Sequence, residues 1–343
     1  MTATGAVSGS NYHGIYAVNR GTDLTIAAAD VTGDDYGIVA RNYGSGALTV
    51  TATGAVSGRT GAGIATYTGP RKAATIVLND GASVEAALGV AITNDAGNST
   101  VTVNTGASVT GAIQLGDGRD SLIFDGGDFS GVTAFDGGDG ADDALRFGAG
   151  AAGMLDGDMV TGFEAVRFGA GSVVSVFDTL VADVSVEAGG ALGPGASPGA
   201  LYVDGAFETM VGATLSFELG GLMAGTGYDV LDVAGTASLA DATIFEILGF
   251  GGFVPTIGNS FDILVADDIL LSSVSNLTFD FAIGGFWSAS IFDLGGREAL
   301  RLEAIADSVA PVPVPPALAM FGSGLVSLFG LGWARRRKQR PAA

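Results

Sequence analysis

The sequence predicts an all-β protein, a right-handed parallel β-helix in which short strands wind into stacked coils. Glycine accounts for 57 of the 343 residues and separates short runs rich in Val, Ile and Thr, a pattern typical of strands joined by turns. Similar segments recur roughly every 23 to 27 residues in the first third of the chain. Within the runs apolar and polar residues alternate, which places one side of each strand in a core.

The repeats are clearest in residues 1–114. The segment Thr2–Gly9 recurs unchanged as Thr51–Gly58. A second set of similar segments begins at Gly14, Gly37, Gly63 and Gly89, with nearly even spacing. A third set of strand-like segments keeps a similar spacing, so each period holds three short strands, the number that one coil of a β-solenoid requires. Flat faces lined by Thr and Asn would suit a carbohydrate or another repetitive surface, or would simply form a stalk.

Residues 115–188 form a Gly- and Asp-rich region with two possible interpretations. The segments around Gly116–Asp120 and Gly138–Asp142 resemble the calcium-binding nonapeptide of RTX proteins, and that resemblance implies calcium ligands at Asp117, Asp120, Asp139 and Asp142. The two copies lie about 22 residues apart, whereas a calcium roll needs tandem nonapeptides. The alternative is a continuing solenoid with phenylalanines in its interior, namely Phe124, Phe135, Phe147, Phe163 and Phe168.

Residues 189–306 contain a further series of strand-like segments, including Ala213–Leu219 and Tyr228–Val233. This region, together with Thr161–Gly169, is similar to the passenger domains of autotransporter-like surface proteins. The similarity implies more β-helix, ending in a capped, β-sandwich-like segment.

The C-terminal residues predict a membrane segment. A Pro-rich linker, residues 307–316, precedes the tail, residues 317–343. From Ala317 to Ala334 there is no charged residue, and as a helix these 18 residues would span about 27 Å, close to the thickness of a bilayer core. Five basic residues follow, which places the preceding body outside the cytoplasm. The alternative is a buried C-terminal helix with a solvated basic end.

The order of prolines, apolar residues and basic residues resembles the PEP-CTERM sorting signal, in a variant with Val314 in place of the family's glutamate. The resemblance implies export across the inner membrane of a Gram-negative bacterium, processing by an exosortase-type enzyme, and association with exopolysaccharide or biofilm at the cell surface. The residues that carry it are Pro313, Pro315, Pro316, Arg335, Arg336, Arg337 and Lys338. Residues 1–5 do not resemble a signal peptide, so we expect the chain to begin inside a repeat.

Charge and composition limit the possible functions. Residues 1–310 contain all 36 acidic but only 10 of the 15 basic residues, a net charge of −26, so nucleic acid is not expected as a partner. There is no cysteine and only one histidine, His13, which excludes thiolate metal sites and histidine-rich sites. No residue is predicted to be catalytic, and no cofactor is expected apart from calcium.

Three hypotheses follow. The first is a non-enzymatic, exported surface or extracellular-matrix protein, adhesin-like or associated with exopolysaccharide. The second is a polysaccharide-acting enzyme on a β-helix, which would need a carboxylate pair facing one groove with Arg or Lys opposite. The third is an ice- or mineral-binding face, which would need Thr residues to align on successive coils.

Overall fold

The structure, a computed structural model, describes residues 1–306. The predicted linker (307–316), the predicted transmembrane tail (317–343) and the predicted sorting residues from Pro313 to Lys338 lie outside the described residues. Within residues 1–306, no helix is long and apolar enough to span a bilayer.

The described chain is a parallel β-solenoid, as predicted, with three strands per coil and therefore three faces. Strands are numbered in chain order. Face 1 consists of β1 (Thr2–Ala3), β4 (Leu24–Ala28), β7 (Leu48–Ala52), β10 (Ala73–Leu78), β12 (Asn98–Asn104), β14 (Ser121–Asp125), β16 (Ala144–Phe147), β19 (Ala165–Phe168), β21 (Asp183–Val186) and β24 (Phe207–Thr209). Face 2 contains β2 (Val7–Gly9), β5 (Val31–Gly33), β8 (Ala55–Gly58), β17 (Ala152–Asp156), β22 (Ala191–Pro194), β25 (Thr214–Leu219), β27 (Ile244–Gly249) and β29 (Thr278–Phe281).

Face 3 and the corner strands complete each coil. Face 3 contains β3 (Ile15–Asn19), β6 (Ile38–Asn42), β9 (Ile64–Tyr67), β15 (Val132–Asp136), β18 (Val160–Thr161) and β23 (Ala200–Val203). Three long strands turn from face 2 to face 3, namely β11 (Ser83–Asn94), β13 (Ser108–Gln114) and β20 (Val173–Leu180). Two others turn from face 3 to face 1, namely β26 (Val230–Ser238) and β28 (Ser260–Leu270). Short 3₁₀ helices lie at Gly157–Met159 and Val274–Asn276.

The number of residues in one coil varies along the stack. It equals the sequence separation between register partners on face 1. Such partners are Leu24 and Leu48 in an early coil, Ala165 and Asp183 in a middle coil, and Phe207 and Ala237 in a late coil. The coil is therefore shortest in the middle and longest near the end, and the predicted period of 23 to 27 residues holds for the first coils but not throughout the stack. Because each coil pairs with its neighbours through the backbone, loops of different length are accommodated at the corners without interrupting the ladders.

The core consists of the inward side chains of successive coils, aligned in columns. One column on face 1 runs Ile26, Val50, Ile76, Val101 and Leu122, all fully buried. A second column changes from Ala52 in an early coil to Phe124, Phe147 and Phe168 in later ones. The five phenylalanines predicted to lie inside, from Phe124 to Phe168, are all buried, so the interpretation of residues 115–188 as a continuing solenoid is confirmed.

The distal region continues the β-helix, as predicted, but its end differs from the predicted β-sandwich-like segment. Parallel pairing continues through β22, β25, β27 and β29 on face 2, so residues 189–281 belong to the same solenoid. The chain then reverses, and β30 (Phe286–Asp293) and β31 (Glu298–Ala306) form an antiparallel pair, with β31 also antiparallel to β28. This antiparallel pair covers the end of the solenoid, where the Trp287 ring stacks on Phe281 at 5.1 Å.

Candidate functional sites on the solenoid

The four predicted calcium ligands lie at the corner that leads into face 1, and they are not equivalent. Asp117, Asp139 and Asp142 are exposed, whereas Asp120 is only 1% exposed. Asp142 forms an exposed ion pair with Arg119 at 3.4 Å. The four do not belong to any group in residues 1–306 in which three ligand atoms lie within 4.8 Å of one another. The structure therefore does not bring them together as a ligand set.

The buried acids of this corner instead bind the backbone of the neighbouring coil. Asp120 Oδ1 accepts hydrogen bonds from the backbone N–H and the hydroxyl of Ser99, and Asp143 Oδ1 accepts from the N–H of Asp120 at 2.6 Å. Glu164 Oε2 then accepts from the N–H of Asp143 at 2.7 Å. Each carboxylate thus satisfies an N–H of the preceding coil, and the three form a ladder along the corner, which we call the acid ladder (Asp120, Asp143, Glu164).

Burial sets the acidity of this ladder. Desolvation raises the pKa of Asp120 to about 6, with the hydrogen bonds from Ser99 opposing the rise and the charge of Asp143 adding to it. The pKa of Asp143 is also raised, mainly by burial. The second carboxylate oxygens, Asp120 Oδ2 and Asp143 Oδ2, are buried and have no hydrogen-bond partner within residues 1–306.

The glycines that suggested a calcium turn serve the close stacking of this corner. A Cβ on Gly140 would lie 2.2 Å from the carbonyl oxygen of Gly118, and one on Gly118 would lie 2.9 Å from that of Gly97. Gly116 and Gly138 adopt positive φ angles of 79° and 97°. In the first copy, the Gly-x-Gly-x-Asp spacing fits a tight corner followed by the buried Asp120. In the second copy the Asp at that spacing, Asp142, is exposed, and the buried acid is Asp143.

Sequence reasoning missed a different acidic group. Asp156, Asp158 and Asp178 place ligand atoms within 4.8 Å of one another. Asp178 comes from the next coil, and Asp158 Oδ1 accepts the N–H of Thr179 at 3.2 Å. The separation of about one coil between Asp158 and Asp178 could have indicated their proximity. Because an acidic cluster alone does not identify a cation site, we assign no ligand to it.

The outer surface of face 1 carries two columns of small side chains in its early coils. The first column contains Thr25, Thr49, Thr75, Thr100 and Ser121. The second contains Ala27, Thr51, Val77, Thr102 and Ile123. We call these ten residues the hydroxyl array. It meets the condition of Thr alignment on successive coils, because every pair of neighbours in a column is a direct register partner.

The same face becomes charged further along. Ile123 is followed in its column by Arg146, Arg167, Ser185 and Glu208. Arg146 is paired with Glu187 at 2.9 Å, while Arg167 forms no ion pair with any residue of the described part.

A groove of about 280 Å³ opens at this charged end of face 1. Its lining includes the Arg167 guanidinium, the carboxylates of Asp183 and Glu208, and the hydroxyls of Ser185 and Ser238. Asp183 is not free, because its Oδ1 accepts the N–H of Ala206 at 2.8 Å. The groove thus contains two carboxylates and a cation, the residue types that the enzyme hypothesis required.

A second groove, of about 310 Å³, lies on the outer surface of face 3, and we call it the tyrosine groove. Its lining is Tyr36, Thr60, Gly61, Ala62, Tyr67, Leu88, Val90, Thr93 and Gln114, none of which carries a charge. The groove follows the outward column Ala65, Thr93 and Gln114, in which neighbours are register partners. Leu88 is 71% exposed, on the irregular middle part of β11.

The two tyrosines of this groove are held by their surroundings. Burial raises the pKa of Tyr67, and a hydrogen bond with Tyr36 contributes in the same direction. The Arg41 guanidinium lies 4.7 Å from the Tyr67 ring and 5.7 Å from the Tyr16 ring. The Tyr36 ring packs edge-on against His13 at 5.4 Å. These contacts fix the orientation of both rings.

Beneath the groove a small apolar cluster, separate from the solenoid core, contains Val39, Ala62 and Ala65, with Tyr36, Tyr67 and Val90 packed against it. The groove therefore combines an apolar floor with hydroxyl and amide groups along its edges.

No protein family model matches this chain, and no curated protein matches it.

Proposed function

We propose that this chain is a non-enzymatic, exported surface or extracellular-matrix β-solenoid protein, adhesin-like, that binds polysaccharide. The observation that carries the proposal is the tyrosine groove, an uncharged groove between two fixed aromatic rings on the outside of a rigid solenoid. Export and surface localisation rest on the order of prolines, apolar residues and basic residues from Pro311 to Arg340, which resembles the PEP-CTERM sorting signal.

The lining of the groove favours a sugar over other ligands. A pyranose ring has faces of C–H groups and a rim of hydroxyls. Tyr36 and Tyr67 offer aromatic faces with negative potential for the C–H groups, and Thr60, Thr93 and Gln114 offer donors and acceptors for the hydroxyls. A volume of about 310 Å³ is at the lower end of small-molecule sites, which suits one or two sugar units.

Charge favours neutral sugars over acidic ones. No cationic side chain is among the lining residues, although the Arg41 guanidinium lies 4.7 Å from the Tyr67 ring, and residues 1–310 carry a net charge of −26. An anionic polysaccharide would therefore be repelled over distances of about a Debye length, roughly 8–10 Å. We expect the preferred partner to be a neutral hexose polymer of a biofilm matrix.

Binding of neutral and anionic oligosaccharides by the full chain tests the proposal, with isothermal titration calorimetry as the measurement. We expect saturable binding of a neutral oligosaccharide, weakened about tenfold or more by Tyr36→Ala. Tyr12→Ala is the matched control, since Tyr12 is 74% exposed and lies outside the groove. Absence of binding, or equal weakening by both substitutions, would contradict the proposal.

The charged groove supports a second candidate, a polysaccharide-acting enzyme. Asp183 and Glu208 could act as acid and base, with Arg167 neutralising charge on the substrate. Release of reducing ends or of unsaturated sugars from polysaccharides by the full chain is the assay. Activity that is lost in Glu208→Gln but kept in Glu246→Gln would favour the enzyme, because Glu246 lies outside this groove on face 2.

A further inference from the structure

The hydroxyl array consists of aligned side chains whose hydroxyl groups have no partner in the described part of the protein. None of its hydroxyl groups is hydrogen-bonded to another residue within residues 1–306. Other hydroxyls of the solenoid do have protein partners, such as Thr209 with Thr243 at 2.7 Å and Ser216 with Glu246 at 2.6 Å. The hydroxyls of the array are therefore available to an external ligand.

The backbone ladder gives the array a fixed two-dimensional repeat. Parallel strands lie about 4.8 Å apart, and outward residues along one strand, such as Thr49 and Thr51, lie about 6.6 Å apart. Threonine and valine are stiff at χ1, so the hydroxyl and methyl groups repeat with the backbone. Register pairing is continuous from Thr25 to Ser121 in the first column, so the repeat extends over five coils without a bulge.

The array is also uncharged and free of large side chains. It contains only Thr, Ser, Ala, Val and Ile, in a body with a net charge of −26. It has no aromatic or amide group, in contrast to the tyrosine groove, so it lacks the features that favour a sugar. It has few of the large apolar groups that anchor protein interfaces.

We propose that the hydroxyl array binds the surface of ice. Ice is a neutral solid whose water molecules lie in rows with spacings of this size. The hydroxyls would take the places of water molecules in the ice lattice or form hydrogen bonds to them. The methyl groups of Thr, Val77 and Ile123 would order the water molecules between the hydroxyls. The array ends where Arg146 and Arg167 continue the second column, because a strongly hydrated charge does not fit the lattice. This activity is separate from the saccharide binding proposed for the tyrosine groove.

The test uses the purified full chain. The measurements are thermal hysteresis, the gap between the melting and freezing temperatures, and incorporation of the protein into a slowly growing ice shell. We expect the wild-type chain to shape and slow ice growth and to enter the ice. Thr75→Lys should remove most of both effects, because it places a long charged side chain in the middle of the array. Thr75→Val should keep part of them, because it retains the shape of the side chain.

The matched control is Thr110→Lys, which introduces the same side chain at an exposed threonine on a strand outside face 1. It should leave ice binding unchanged, and circular dichroism should show equal folding of all variants. A wild-type chain that is excluded from ice like an ordinary protein would overturn the proposal, as would equal loss with Thr75→Lys and Thr110→Lys. Tyr36→Ala should retain ice binding, so failure here is distinguishable from failure of saccharide binding.

Discussion

The Arg301 guanidinium binds both carboxylate oxygens of Asp262, with Nε 2.6 Å from Oδ1 and Nη2 2.8 Å from Oδ2. The two residues are register partners between β28, a strand of the solenoid, and β31, which runs antiparallel to it. The guanidinium also lies 3.6 Å from the centre of the Phe292 ring. This ion pair joins the antiparallel pair to the last coils and fixes it over the end of the core.

Asp262→Asn should lower the free energy of unfolding by about 1–3 kcal/mol, because it leaves a half-buried guanidinium without its bidentate partner. Urea denaturation followed by far-UV circular dichroism is the measurement. The control is Asp142→Asn, which breaks the exposed pair with Arg119 and should change stability by less than about 1 kcal/mol. If the two substitutions cost the same, Arg301 does not hold the antiparallel pair in place.

The stacked phenylalanines in the middle of the solenoid lead to a second prediction. The Phe147 ring stacks on Phe124 at 5.8 Å and on Phe168 at 5.6 Å, and all three are fully buried. Phe147→Ala should lower the free energy of unfolding by about 3–5 kcal/mol, because the neighbouring coils cannot move to fill the cavity. Phe286→Ala, at an exposed position, should cost less than about 1 kcal/mol. Comparable midpoints of thermal unfolding would show that the stack contributes little.

The sequence predicted the solenoid because its signals are local and repeated. The alternation in Leu48–Ala52 and the set of glycines at Gly14, Gly37 and Gly63 report directly on strand and corner positions. The inward positions of Phe124 and Phe147 follow from the same alternation. The calcium resemblance did not indicate that the same glycine spacing serves a corner at which Gly140 stacks on Gly118.

The grooves could not be predicted, because they depend on coil length. Arg167 and Glu208 share a column through Ser185, although the coil from Arg167 to Ser185 is shorter than the coil that follows it. Tyr36 and Tyr67 come from different positions within their coils and meet because a loop brings Tyr36 over face 3. The alignment of outward threonines on face 1 likewise needed the observed register, since a shift of one residue would turn these hydroxyls inward.

The close stacking of coils at the Gly-rich corner predicts that a single added methyl group strongly lowers the stability of the protein. Gly140→Ala should destabilise the middle coils by several kcal/mol, on the order of 2–4, because its Cβ would lie 2.2 Å from the backbone oxygen of Gly118. Gly5→Ala is the control, because a Cβ there meets no atom within 4 Å. Limited proteolysis near residue 140, together with the urea midpoint, is the measurement. A Gly140→Ala chain as stable as Gly5→Ala would show that the corner can open at little cost.

Burial of Asp120 predicts a pH-dependent stability with a definite sign. Its pKa is raised from 3.8 to about 6 in the folded chain, so the folded state holds the proton more tightly than the unfolded state does. The stabilisation from the protonated form is complete below about pH 4 and is lost as the pH rises through about 6. The loss amounts to at most about 3 kcal/mol, at 1.36 kcal/mol per pH unit.

Asp120→Asn removes this titration, because the amide stays neutral while its oxygen can still accept from Ser99. The substitution can cost a constant amount at every pH, so the pH dependence carries the test. Relative to wild type, the variant should gain stability between pH 4 and pH 6, and the difference should be constant at higher pH. Asp139→Asn, an exposed residue of the equivalent turn in the next coil, should leave the wild-type profile unchanged. Thermal unfolding measured from pH 4 to pH 8 gives the curves, and parallel curves for wild type and Asp120→Asn would show that the buried carboxyl of the acid ladder does not titrate in this range.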